Sequence, residues 1–148
     1  MRLGIDFGGT KIEGAALDSK GEIVARQRVP NPGEYGAAVA AVRDLVGRIE
    51  QETGAGVKAV GVAMPGSLSP VTGHVRNSNS TWLNGKPFYE DLNAALGRPV
   101  RVENDANCFA LSEAVDGAAA GARVVFGVII GTGCGGGVVV ERKVIEGA

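Results

Sequence analysis

Histidine and tryptophan each occur once in this 148-residue chain, and cysteine only twice. Cys108 and Cys134 stand in apolar or glycine-rich surroundings, outside any zinc-ligand spacing. Reduced thiols are therefore expected, not a disulfide frame or a zinc centre. A Ser-His-Asp triad is excluded, because neither Asp6 nor Asp105 has a partnered histidine. His74 is left without a role. Aromatic residues make up 5% of the chain, which points to a core of Val, Ile, Leu and Ala. The net charge of −1 gives no electrostatic basis for a nucleic-acid partner or an anionic membrane. No apolar run approaches the roughly 20 residues of a spanning helix, and the first strand has no signal-peptide pattern. A cytoplasmic protein is expected, of a length that fits one domain with a real core.

Glycine is what the chain has in excess: 24 residues, about twice the usual ~7%. Most of these glycines punctuate element ends. Apolar stretches at about 2–7, 11–18 and 22–29 read as three strands of an antiparallel meander, closed by Pro30-Asn31-Pro32-Gly33. Val39, Val42, Val46 and Ile49 recur at helical spacing within a helix of about 35–53. Val57 to Met64 reads as a buried strand, and Ser67 to Lys86 as a polar loop. A short helix follows Pro87, then a strand over Pro99 to Glu103, a helix over about 106–120, and a strand from Val124 to Ile130 that resumes at Val138. Three hairpin strands followed by alternating helix and strand imply an α/β fold: a mixed sheet with an antiparallel three-strand meander and helices on both faces. In such sheets ligands bind beyond strand ends. The chemically suggestive residues all fall at such ends, which predicts a single cleft.

The first of them is Gly4-Ile5-Asp6-Phe7-Gly8-Gly9-Thr10-Lys11. Two glycines let backbone N–H groups approach anionic oxygens; Thr10 adds a hydroxyl and Lys11 a cation. Asp6 suits a hydrated Mg²⁺, a hard ion that keeps several waters. The plain alternative is a hairpin turn. Neither common phosphate loop matches, because both open a helix and strand follows here. The second is Asn104-Asp105, where Asp105 is either a helix N-cap or a general base for a hydroxyl attacking phosphorus. The third is Gly131-Thr132-Gly133-Cys134-Gly135-Gly136-Gly137, a second phosphate grip or a flexible hairpin. The fourth is Asn77-Ser78-Asn79-Ser80-Thr81-Trp82-Leu83-Asn84-Gly85, whose amides, hydroxyls and ring suit a sugar. A solvated loop anchored by Trp82 explains it equally well. A glycosidase built on two distant carboxylates would leave the glycine loops without a purpose.

In order and spacing, Asp6 to Lys11, Pro65-Gly66, Glu103-Asn104-Asp105-Ala106-Asn107 and Gly131 to Gly137 resemble the ROK family of sugar kinases. That family belongs to the actin/hexokinase/Hsp70 superfamily, with a ribonuclease-H-like fold. The loop at Asn77 to Gly85 looks most like the bacterial fructokinase branch. The resemblance implies ATP- and Mg²⁺-dependent phosphorylation of a hexose, with fructose as the lead and glucose, mannose or N-acetylhexosamine behind it. Asp105 would be the base. Asn104, Asp105, Gly66 and Asn79 would hold the sugar. Residues 4–11 and 131–137 would grip the ATP phosphates, with Asp6 near Mg²⁺.

The resemblance also implies a second lobe carrying the adenosine pocket and a zinc site, and a homodimer of the full-length protein. Residues 1–148 would be the N-terminal lobe, and alone would show little kinase activity. The alternative within the family is a sugar-responsive transcriptional regulator. The direct start into a strand, the near-zero charge and the presence of Asp105 favour the enzyme.

Overall fold

The structure is a computed structural model that describes residues 1–130 and 134–146. It divides into two compact units, Met1–Val102 and Glu103–Ala148. Among the described residues no helix is long and apolar enough to cross a membrane.

The first unit contains β1 (Arg2–Phe7), β2 (Lys11–Leu17), β3 (Ile23–Pro30), α1 (Tyr35–Thr53), β4 (Val60–Met64), β5 (Ser67–Leu68), β6 (Val75–Arg76), a 3₁₀ turn (Thr81–Leu83) and α2 (Phe88–Leu96). β7 (Val100–Asn104) starts here and ends in the second unit. The large sheet has the order β3-β2-β1-β4-β7. β1 pairs antiparallel with β2 and parallel with β4, and β2 pairs antiparallel with β3. The meander and the mixed sheet are thus as expected.

Alternation along β1 sends Leu3, Ile5 and Phe7 into the core and turns Gly4 and Asp6 to the other face. Val42, Leu45, Val46 and Ile49 of α1 bury against that apolar side, joined by Phe88, Leu92 and Leu96 of α2. Gly14 admits the helix closely: a Cβ there would lie 2.5 Å from Ile49 Cδ1. Glu34 caps α1 by accepting from the Gly36 and Ala37 N–H groups at 3.0 and 2.8 Å, and Gly54 ends it at φ 64°.

The segment Ser67 to Lys86 is more ordered than a polar loop. β5 and β6 form a small antiparallel hairpin, and the 3₁₀ turn buries Leu83. Sequence patterning misses two-residue strands because they are too short to show a period.

The second unit holds α3 (Asp105–Val115), β8 (Val124–Ile130), β9 (Cys134–Val140) and β10 (Lys143–Val144), with the three strands in the order β10-β9-β8. α3 stops at Val115, short of the expected 120. Glu113 turns its carboxylate to the Ala118 N–H at 2.7 Å, so the chain leaves the helix in a side-chain-held turn. β9 resumes at Cys134, not Val138, and pairs along its whole length with β8. The core of this unit is thin: Ala110, Ala114, Val125 and Val139.

Three glutamates tie the first unit together. The Arg98 guanidinium holds Glu50 below its ordinary 4.5 against the opposing effect of burial, and the Val57 N–H adds to it. The Ala37 and Gly36 N–H groups lower Glu34. Burial alone would raise Glu13, but Arg26 and Arg28 together bring it below the ordinary value. A carboxylate lowered in the folded state contributes stability above its unfolded pKa and loses it as pH falls through the folded value. The thermal midpoint of the chain is therefore expected to fall between about pH 5 and about pH 3. Glu50→Gln should flatten that slope; an unchanged slope would remove Glu50 from the account.

Candidate active site

Within the first unit, three of the sequence-predicted segments come together. β1 ends in the hairpin turn whose Gly8 N–H donates to Lys11 O at 3.0 Å. That bond occupies the Gly8 amide, one of the phosphate donors expected from the sequence. Ile5 and Phe7 are core residues at 2% and 0% exposure, so their side chains do not reach a ligand. Phe7 packs on Phe88 (ring centroids 4.9 Å) and edge-on to Trp82 (6.2 Å). Trp82, half-buried against the core, thereby anchors its loop.

Gly9 is the informative residue of the turn. It is exposed, and its φ is not positive. A Cβ there would meet only Ser80 Oγ, at an ordinary 3.5 Å. Neither backbone conformation nor packing demands glycine at this position, so the space is open to a ligand. Thr10, Lys11 and Asp6 are also exposed.

The 77–84 loop backs onto this turn through Ser80 and Trp82. It is braced by Asn84, whose Oδ1 accepts from Ser78 N–H at 2.9 Å and whose Nδ2 donates to Ser78 O at 3.0 Å. Asn77 is in the left-handed region, φ 57°, which asparagine tolerates better than most residues. Asn79 is exposed between the buried Ser78 and Ser80. Gly66 closes the group. Its φ is 85°, and a Cβ would lie 2.5 Å from Arg76 O and 2.8 Å from Ser78 N. Glycine is required at 66 by the approach of the loop, whatever else its backbone does.

In the second unit the N-terminus of α3 gathers the others. Asn104, not Asp105, is the cap: its Oδ1 accepts from Ala106 N–H at 3.0 Å and from Asn107 N–H at 3.2 Å. Asp105 is the first helical residue, half-buried, with Oδ1 accepting from Ala106 N–H at 2.8 Å. Glu103 supports the turn by accepting from Asn104 N–H (2.7 Å) and Asn107 Nδ2 (3.0 Å).

The residues Cys134, Gly135, Gly136 and Gly137 are strand, not loop, and packing accounts for their glycines. Gly135 and Gly137 face α3, where a Cβ would come within 3.2 Å of Ala106 Cβ and 2.7 Å of Ala106 O respectively. A Cβ at Gly136 would come 3.0 Å from Cε2 of the exposed Phe126 ring. Of the residues expected to form a second phosphate grip, Gly131, Thr132 and Gly133 lie outside the described residues.

Asn31, Asn84 and Glu103 lie within segments already singled out in the sequence; the hydrogen bonds by which they brace the turns are what the structure adds. An asparagine next to proline and glycine signals a side-chain-closed turn, and Asn31 carries that signal. Among the described residues no three of His, Cys, Asp and Glu gather into a metal site. Glu13, the cross-strand partner of Asp6, is committed to Arg26 and Arg28. A cation at Asp6 would therefore have one carboxylate plus waters and phosphate oxygens, a donor set that fits Mg²⁺.

A mixed α/β sheet with an exposed, glycine-opened hairpin turn at its first strand's end defines a class of proteins with a clear family match. The chain belongs to the ROK family, whose model matches residues 2–148. It is 44% identical over 148 residues to an N-acetyl-D-glucosamine kinase of Vibrio vulnificus (strain YJ016), covering 99% of this chain and 48% of that protein. Among solved structures it resembles a ROK hexokinase from Thermus thermophilus, with a TM-score of 0.86, 35% identity and coverage of 99% of this chain and 49% of that one. A ROK glucokinase from Streptomyces griseus, solved with glucose and AMPPNP, matches at a TM-score of 0.86 and 31% identity over 99% of this chain and 46% of that one. The ribonuclease-H-like α/β class expected from the sequence stands. The chain spans about half the length of the relatives it matches.

Proposed function

We propose that the full-length protein containing these residues transfers the γ-phosphoryl group of ATP to a hydroxyl of a hexose, and that residues 1–148 form one lobe of that kinase. The observation that carries the reading is Gly9: an exposed turn glycine with no conformational or packing need, flanked by Asp6, Thr10 and Lys11. The kinase names of the relatives support it.

Each residue has a defined part. The Gly9 amide, the Thr10 hydroxyl and the Lys11 ammonium hold phosphate oxygens, and Gly131 to Gly133 supply a second grip. Asp6 would hold Mg²⁺ through water, and the ion would offset the phosphate charge. Asp105 accepts the proton of the attacking hydroxyl as the new O–P bond forms and the bond from phosphorus to the ADP oxygen breaks. Asn79, Asn104 and the Gly66 backbone orient the sugar. Such chemistry needs positioning and charge stabilisation more than covalent catalysis.

On the acceptor, the relatives' names favour N-acetyl-D-glucosamine and glucose, whereas the fructose reading rests on the resemblance of the loop at Asn77 to Gly85. A coupled ADP-release assay of the full-length protein with Mg-ATP and a panel of N-acetyl-D-glucosamine, glucose, mannose and fructose tests both levels. Turnover with at least one hexose is expected, and the 148-residue chain alone should fall far below it. No ADP release above background with any sugar would overturn the kinase reading.

A further inference from the structure

We propose that Asn31 is a positioning residue for the ATP phosphates, acting through the hairpin turn at Gly8 to Lys11; the inference rests on the kinase reading above. β3 ends at Pro30, and the chain then bends toward α1. In that bend Asn31 makes three hydrogen bonds. Its backbone N–H donates to Thr10 O at 2.9 Å, its Nδ2 donates to Gly8 O at 2.8 Å, and its Oδ1 accepts from Gly33 N–H at 3.1 Å. One residue outside the hairpin thus holds two of the turn's carbonyls, and its third bond fixes its own side chain.

β1 and β2 pair up to Phe7 and Ile12, so Gly8 to Lys11 form a four-residue loop, spanned by the Gly8 N–H bond to Lys11 O. Neither Gly9 nor Thr10 has positive φ, in keeping with loops of that length, which are most often built around a type I turn. A trans peptide is planar, and its C=O and N–H point in opposite directions. No peptide bond here is cis. Pinning Gly8 O on Asn31 Nδ2 therefore turns the Gly9 N–H away from Asn31. Gly9 is the same residue whose missing side chain is unexplained by fold or packing. Two independent observations, a fixed amide direction and an open space, converge on one donor. The role of Asn31 is to hold that donor ready before nucleotide arrives, so that none of the binding energy is spent on ordering the turn.

The test is steady-state kinetics of the full-length kinase carrying Asn31→Ala and, separately, Asn31→Asp. The aspartate keeps the Oδ1 acceptor for Gly33 and loses the Nδ2 donor to Gly8. Losing one hydrogen bond that orients a donor to a charged phosphate should raise KM for ATP about tenfold or more. KM for the sugar should stay within about twofold, because its contacts lie elsewhere. A purely structural role would instead move both KM values together, or lower the active fraction with both KM values unchanged. If Asn31→Ala does not fold, the near-isosteric Asn31→Asp decides by the same ratio. Unchanged KM for ATP in an active variant, or equal shifts in both KM values, would overturn the role of Asn31 and leave the kinase reading intact. A wild-type protein inactive toward the whole sugar panel would instead remove the kinase reading, and this inference with it.

Discussion

On the kinase reading proposed above, Asp105→Ala in the full-length protein is expected to lower kcat by about 10²–10⁴, the usual contribution of a positioned general base. Its stability should change by less than about 1 kcal/mol, the scale of losing one carboxylate at a helix N-terminus. The division follows from the cap. Asn104 satisfies the Ala106 and Asn107 N–H groups, so Asp105 is not what starts α3. Asn104→Ala supplies the opposite pattern. It removes the cap and should cost about 0.5–2 kcal/mol, with a smaller kinetic effect than Asp105→Ala. Measuring kcat and the urea midpoint for both variants separates base from cap. Full activity in Asp105→Ala would remove it from the role of base; a large stability loss there with Asn104→Ala neutral would reverse the assignment of the cap.

That pair also shows what the sequence could and could not reveal. At the strand-to-helix junction the sequence leaves Asp105 as either cap or general base, and the side-chain oxygen of Asn104 or of Asp105 can cap a helix. Only the Oδ1 geometry assigns the cap to Asn104. Long periodic elements were equally legible. β1 and α1 appear at their expected bounds because their apolar periods run uninterrupted. The glycines were legible as exceptional but not as to cause. Gly9 is open to a ligand, Gly66 is a left-handed residue under a close backbone, and Gly135 to Gly137 are packing glycines in a strand. Sequence alone gives all of them the same letter. The bonds of Asn31 to the hairpin were hidden for a related reason: its partners Gly8 and Thr10 lie more than twenty positions away, and local patterning carries no information about hydrogen bonds of that span.

Gly137→Val is expected to unfold the α3–β8–β9 unit, or to destabilise it by more than the about 1–3 kcal/mol typical of overpacking. A Cβ at 137 would lie 2.7 Å from Ala106 O, 2.9 Å from Asn107 Cα and 3.0 Å from Ala110 Cβ. Two of these are backbone atoms of α3, which cannot rotate aside as a side chain would. Its cross-strand partner Gly127 meets the same Ala110, with a Cβ 2.8 Å from Ala110 Cβ. The helix therefore rests on a glycine pair over a small cluster, Ala110, Ala114, Val125 and Val139, with Leu111, Ala119 and Val144 partly buried against it. Because φ at Gly137 is not positive, the cost is steric, and it should grow from Gly137→Ala to Gly137→Val with side-chain volume. Gly47 in α1 is the control. Nothing lies within 4 Å of its Cβ position, so Gly47→Ala should stabilise by about 0.5–1 kcal/mol through helix propensity. Amide hydrogen exchange of the 148-residue chain reads both changes: protection over α3 and β9 should collapse in Gly137→Val and rise over α1 in Gly47→Ala. The same displaced turn, Ala106-Asn107, adjoins Asp105, so a mild Gly137→Ala should lower kcat before it lowers the folded fraction. Wild-type exchange across α3 in Gly137→Val would show that the close approach of helix and strand is not what these glycines are for.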